Sequence, residues 1–169
     1  MEIRLVLESD AAAWWQLRAE SLTNEPLAFG KAVEEYRTTT IDEIARRLRE
    51  PPPDSFYLGA FAGGKLVGMA TFIRESGLKE RHKGRIFGIY LSAAYRRQGV
   101  GFALLSTLLE HAQGDSSLEH ILLSVAAGQH AAQELYRKLG FATYGTEPGA
   151  LKIGAAYVDE DQMIRRARA

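Results

Sequence analysis

Cysteine is absent from the 169 residues. That excludes disulfides, thiolate metal sites and a cysteine nucleophile, and it sits well with a cytoplasmic location. Net charge is also absent, since 21 Lys and Arg face 21 Asp and Glu. A broad nucleic-acid or anionic-membrane surface is therefore not expected, although a local basic patch is compatible with neutrality. No uncharged run approaches the ~20 apolar residues of a membrane span. The opening segment, MEIRLVLESD, is charged throughout and lacks the apolar centre of a signal peptide. Proline is scarce, and three of the 5 stand together as Pro51-Pro52-Pro53, a stiff connector rather than a domain linker. Repeats and low-complexity stretches are missing too. The 46% hydrophobic and 25% charged fractions are those of a globular protein. The length suits one domain over residues 1–169 that buries a core without metals or cross-links.

The chain order predicts a mixed α/β domain. Glu2 to Leu7 alternates as a strand, and Ser9-Asp10 offers an N-cap to a helix from Ala11 to Leu22, closed before Pro26. Thr40 and Glu43 form a capping-box pattern that opens a second helix through Arg49. Strands from Ser55 to Ala62 and from Lys65 to Arg74 flank Gly63-Gly64, a hairpin signal. Arg85 to Leu91 is apolar on both faces and reads as a central strand, with Gly88 marking a bulge or close approach. A helix from Gly99 to Gln113, a strand from His120 to Val125 and a helix from Ala131 to Leu139 follow. Gly140 closes that last helix, and strands from Phe141 to Tyr144 and Ala156 to Ile164 end the chain.

The turn after the central strand carries the chemistry. Tyr90 and Leu91 end the strand, Arg96 and Arg97 follow, and a helix opens across Gln98, Gly99, Val100, Gly101, Phe102 and Ala103. Glycines at a helix start leave its first N–H groups open, and with the helix dipole these make an anion site. The turn lacks the Lys of a nucleoside-triphosphate loop, and Leu104 stands where a dinucleotide fold needs its third glycine.

The pattern Arg96-x-x-Gly99-x-Gly101 resembles the acetyl-CoA pyrophosphate loop of the GNAT superfamily of N-acetyltransferases. Downstream, Gln129-x-x-Ala132-x-x-Leu135-Tyr136-x-x-x-Gly140-Phe141 is similar to that family's Asn-x-x-Ala-x-x-Leu-Tyr helix, with Gln129 in place of Asn. Tyr144 to Pro148 and Tyr157 to Met163 also resemble a bacterial group of the family. The resemblance implies a single-domain GNAT fold, with a mixed, mostly antiparallel sheet of about seven strands flanked by about four helices.

It also implies a function. Acetyl-CoA is the co-substrate, no metal is needed, and a primary amine of a small molecule or peptide attacks directly through a tetrahedral intermediate. In that family, backbone groups of Ile89, Tyr90 and Leu91 pair with the pantetheine arm, a backbone N–H near Leu91 faces the oxyanion, and the N–H groups from Gln98 to Ala103 hold the pyrophosphate. Arg96 and Arg97 add positive charge, Gln129 and Ala132 contact the cofactor, and Tyr136 is the acid for the departing thiolate. Tyr136 also stands at core spacing beside Leu135 and Leu139. The strand from Arg85 to Leu91 holds no carboxylate. The base is then Glu75, Glu80, His82 or a strand-held water, and a non-catalytic acyl-CoA-binding module is the second reading. Glu25, Glu34 and Glu35 fall in the acceptor-shaping segment, as selectors of a cationic amine or as an exposed face. Trp14-Trp15 reads as core, and either a monomer or a homodimer suits the chain.

Overall fold

Two consecutive left-handed glycines, Gly63 at φ +56° and Gly64 at φ +81°, fold β2 (Phe56–Ala62) onto β3 (Lys65–Arg74). This is the primed-turn geometry that matches strand twist, and only glycine adopts it cheaply. The computed structural model describes residues 1–168. Its single sheet has the order β1-β2-β3-β4-β5-β7-β6, with β1 (Glu2–Leu5), β4 (Lys83–Leu91), β5 (His120–Ala126), β6 (Ala142–Ile153) and β7 (Ala156–Arg166). Every neighbouring pair is antiparallel except β4 and β5.

Helices cover both faces of the sheet. On one side α4 (Val100–Ala112) and α5 (His130–Lys138) bury Leu104, Leu105 and Leu108 against Val67, Phe72 and Ile121. On the other, α1 (Ala11–Asn24), α2 (Val33–Arg37) and α3 (Ile41–Arg49) bury Trp14, Leu17, Tyr36 and Ile44 against Met69 and Tyr90. The α3 cap is reciprocal: Glu43 N–H donates to Thr40 Oγ1 at 3.2 Å, and Thr40 N–H donates to Glu43 Oε2 at 2.8 Å. The Pro51-Pro52-Pro53 connector leads from α3 to β2 within the domain. Gly140, at φ +86°, ends the α5 segment, and Phe141 turns back to meet the Tyr136 ring edge-on at 6.3 Å.

Five sequence expectations are corrected. The first strand stops at Leu5 rather than Leu7, because Asp10 turns the chain. Its carboxylate takes two bonds from Arg4, at 2.7 and 3.0 Å, and one from the Leu7 N–H, so it does not cap α1. The five-residue α2 carries too little periodic pattern to be foreseen. The sixth strand extends to Ile153. Its exposed edge bears polar residues and Pro148, which is how unpaired edges are protected. Finally, β4 is not buried on both faces, since Phe87 is 51% exposed.

Candidate active site

Strands β4 and β5 pair only at Lys83↔His120, Gly84↔Ile121 and Arg85↔Leu122, and then part. From Ile86 to Leu91 the β5-facing edge of β4 has no strand partner. The register against β3 runs Thr71↔Phe87 and then Met69↔Tyr90, so Gly88 and Ile89 together oppose Ala70. Gly88 has φ +61°, the left-handed residue such a bulge requires. The bulge bends β4 at the point where the two strands separate. Beyond it, the backbone groups of Ile89 and Leu91 face the opening, while those of Tyr90 alternate toward β3, where Ser92 N–H also bonds the Val67 carbonyl.

Backbone N–H groups crowd the end of that strand. A 3-10 turn over Ala93–Tyr95 is followed by two left-handed residues, Arg97 at φ +59° and Gly99 at φ +79°. The first helical bond runs from Ala103 N–H to the Gly99 carbonyl. No N–H from Arg97 to Phe102 has a partner among the described residues. Six successive open donors at a helix N-terminus are the arrangement that binds an anion. Gly99 is there for its backbone angle, because a Cβ on it would meet nothing within 4 Å. At Gly101 a Cβ would stand 3.4 Å from Leu135 Cδ2 on α5, an ordinary contact, so packing inside the fold does not demand a glycine there.

The two arginines play different parts. Arg96 is held: its Nε donates to the Leu91 carbonyl at 2.9 Å, and its Nη1 meets Glu25 Oε1 at 2.8 Å. It fastens the loop to the strand end instead of moving freely, and it occupies one of the Leu91 backbone groups assigned to the cofactor arm. Arg97 is exposed and makes no ion pair among the described residues.

Helix α5 starts where β5 ends, so the N-termini of α4 and α5 lie at the carboxyl ends of the two diverging strands. Gln133 secures that turn, donating to the Ala127 carbonyl and to Asp161 Oδ2, both at 3.0 Å. Gln129 occupies the α5 N-cap position without a side-chain capping bond, and Ala132 is half-buried one turn before Tyr136. Tyr136 is 6% exposed and packs in the main core, as its spacing suggested. Its hydroxyl has no hydrogen-bond partner among the described residues, and burial pushes its pKa well above the ordinary tyrosine value. It is thus held as the neutral phenol, the form that donates a proton.

The sequence profile of the Acetyltransferase (GNAT) family matches residues 12–141. The chain belongs to the GNAT acetyltransferase family. It is similar to the N-alpha-acetyltransferase RimI of Mycobacterium tuberculosis, 33% identical over 104 residues, which cover 62% of this chain and 63% of that one. The chain spans 41–63% of the length of the first curated relatives it matches. Among solved structures, a GNAT-family acetyltransferase from Streptococcus pneumoniae superposes with a TM-score of 0.87 at 26% identity, covering 98% of each chain. A Salmonella typhimurium protein solved with acetyl-CoA superposes at 0.86, covering 100% of this chain and 95% of that one; at 20% identity it speaks for the fold. The single GNAT fold, with seven strands and four substantial helices, is as the resemblance implied.

Several carboxylates considered for this GNAT chain are committed elsewhere. Glu75 pairs with Arg85 at 2.7 Å and Glu80 with Lys83 at 3.3 Å, both where β4 and β5 are still joined. His82 gives its carbonyl to the Glu119 and His120 N–H groups at that same end. About 3.3 Å of rise per residue separates them from the bulge by several residues. Glu25 is held by Arg96, while Glu34 and Glu35 are exposed on the first turn of α2.

Sequence reasoning missed what lies on the α1–α3 face of the bulge. A cavity of about 250 Å³ is walled by Arg18, Lys31, Tyr36, Arg47, Phe87 and Gly88, with Trp14 and Met69 at its floor. None of its lining residues is acidic. Glu20, one helical position beyond Ala19, accepts from Tyr90 Oη at 3.0 Å and from Ser92 Oγ at 2.7 Å. Only the helical face shared by Arg18 and Trp14, four residues apart on α1, hinted at the cavity. No group of three or more His, Asp or Glu close enough to hold a metal occurs among the described residues, and no helix is long and apolar enough to cross a membrane.

Proposed function

We propose that the chain transfers the acetyl group of acetyl-CoA to a primary amine. The observation that carries this reading is the run of six unpartnered N–H groups from Arg97 to Phe102 at the end of a strand whose edge is free. A pyrophosphate fits the first feature and an extended amide arm fits the second, as an added strand does. When bound, acetyl-CoA supplies an activated acyl thioester. The loop amides neutralise its phosphate charge without a metal. Arg97 stands free to add a side-chain contact, and the N–H groups from Arg97 to Phe102 form the cradle; the Ala103 N–H, expected to join them, is taken by the Gly99 carbonyl. Ile89 and Leu91 align the arm along β4, with Arg96 already holding one carbonyl. Gln129 and Ala132 border the opening from α5.

The amine must be neutral to attack, since an alkyl ammonium has a pKa of ~10.4. β4 carries no carboxylate, so a water held on the strand backbone relays that proton to solvent. Tyr136, neutral and with a free hydroxyl, donates its O–H to the leaving sulfur as thiolate charge develops; because a thiol (pKa ~8.5) is a stronger acid than a phenol (pKa ~10), the hydrogen bond carries most of that help and the proton finally on the thiol comes from solvent. The test is release of CoA thiol from acetyl-CoA in the presence of an amine panel. Amine-dependent thiol release with a matching mass gain of one acetyl group supports the reading. Tight CoA binding with no turnover on any amine would instead leave the acyl-CoA-binding module.

A further inference from the structure

The cavity beside the bulge is a wall of donors with nothing to receive them. Arg18, Lys31 and Arg47 all line it, and none forms an ion pair among the described residues. Arg18 makes only one long contact, 3.4 Å to Ser21 Oγ. Its guanidinium lies over the Phe29 ring at 4.5 Å, and its Nη1 stands 3.8 Å from where a Cβ of Gly88 would be. Arg47 sits one turn from Glu43 without closing a pair with it, and Lys31 lies over the Tyr36 ring at 5.9 Å. The Tyr36 hydroxyl is enclosed and has no partner, and Thr71 adds a further hydroxyl to the lining. A half-buried guanidinium without a counter-charge is an expensive arrangement for a fold to keep. Burial indeed lowers the Arg18 pKa and pushes Tyr36 up to about 12.

We infer that the acceptor is a small amino acid-like molecule whose carboxylate is bound by Arg18, with Arg47 and Lys31 completing the anionic subsite. This rests on the acetyl-transfer reading above and narrows it. A planar carboxylate accepts two bonds from a guanidinium, which fixes orientation as well as charge. Because Arg18 reaches the bulge, a carboxylate held there places an amine only a few bonds away at the free edge of β4. The cavity is small for a ligand site and suits a free amino acid better than a peptide segment. Polyamines and basic side chains meet three like charges there. A peptide N-terminus brings no carboxylate near its amine. Of the two readings of Glu25, Glu34 and Glu35, this subsite favours the exposed face over the selection of a cationic amine.

The experiment uses the full chain with acetyl-CoA and three matched series: free L-amino acids, their primary amides, and the corresponding decarboxylated amines, with a tetrapeptide as a fourth arm. The expected result is at least one free amino acid whose kcat/KM exceeds that of its amide and its amine by about a hundredfold or more. Arg18→Gln should shrink that ratio to below about tenfold, and Arg47→Gln should shrink it in part. Thermal melting checks that both variants fold, and CoA binding checks the cradle. In parallel, calorimetric titration of CoA-loaded protein with the free amino acids should show saturable binding that Arg18→Gln abolishes. Turnover of amides, amines or the tetrapeptide as fast as the acids would overturn the inference while leaving acetyl transfer intact. No turnover in any series would refute the transfer reading, and the titration would then decide this inference alone: carboxylate binding lost in Arg18→Gln sustains it, and no binding ends it.

Discussion

Arg18 and Gly88 face each other across the junction of α1 and β4, with Nη1 of the arginine 3.8 Å from the site of a glycine Cβ. The glycine bends the strand and the arginine is placed at the bend. Replacing Gly88 with alanine leaves room for the methyl group but forces a Cβ into φ +61°. That conformation costs about 1–2 kcal/mol. In a domain of this length, melting should fall by roughly 3–7 °C. Acetyl transfer should fall further than stability explains, because the bulge sets the direction of Ile89 to Leu91. A variant that melts like the parent and keeps its kcat would show that the bulge is not required.

The two loop glycines should separate cleanly. Gly99→Ala meets open space, so its whole cost is the backbone strain at φ +79°, about 1 kcal/mol, and CoA affinity should weaken as the cradle distorts. Gly101→Ala sits inside α4 with its methyl at ordinary contact from Leu135, and helix propensity alone would stabilise it by about 0.5–1 kcal/mol. Melting curves of the pair should therefore move in opposite directions. Equal losses in both would mean that the loop strain has been misassigned.

Much of this architecture was legible in the sequence. Gly63-Gly64, the Thr40–Glu43 cap and Gly140 each allow few backbone choices, and the structure makes those choices. The loop from Arg96 to Ala103 was legible because glycines and a following apolar periodicity mark a helix start. The cavity beside Arg18 was not, because Arg18, Lys31, Tyr36 and Arg47 come from three separate helical segments and their linkers, and only folding brings them together. Nor could the sequence tell that Arg96 is tied down by Glu25, 71 positions away. Long-range pairing of charges leaves no local pattern to read.

A carboxylate pair on the outer strands gives a pH-dependent expectation. Glu147 and Glu160 are register partners on β6 and β7, and like charges directly opposite repel. Burial first, and Glu147 second, raise the Glu160 pKa above the ordinary carboxylate value. A raised folded-state pKa means that the folded chain binds the proton more tightly than the unfolded one. Stability from this group is then present below the unfolded pKa and is lost as pH rises through the folded value. Glu147→Gln should thus raise the melting temperature at pH 7 and have a smaller effect at pH 4. An equal shift at both pH values would assign the change to something other than charge.

Tyr136→Phe removes a hydroxyl that has no partner and keeps the ring against Phe141. Its melting temperature should stay within about 2 °C of the parent, since no bond is lost. If the phenol protonates the leaving sulfur, kcat should fall by ~10²–10⁴ while CoA affinity holds. A kcat within about threefold of the parent, on an acceptor that reacts quickly, would make Tyr136 a core residue and nothing more.

The cradle itself can be observed directly by titrating CoA into isotopically labelled protein and following backbone amide resonances. The six N–H groups from Arg97 to Phe102 have no acceptor of their own, so they should show the largest downfield shifts, saturating together with one dissociation constant. Ile89 and Leu91 should follow with smaller changes, and the Glu75–Lys83 end of the sheet should stay still. Saturating CoA that leaves Arg97 to Phe102 unshifted, or shifts only a distant surface, would contradict the assignment of this loop as the site where the cofactor phosphates bind.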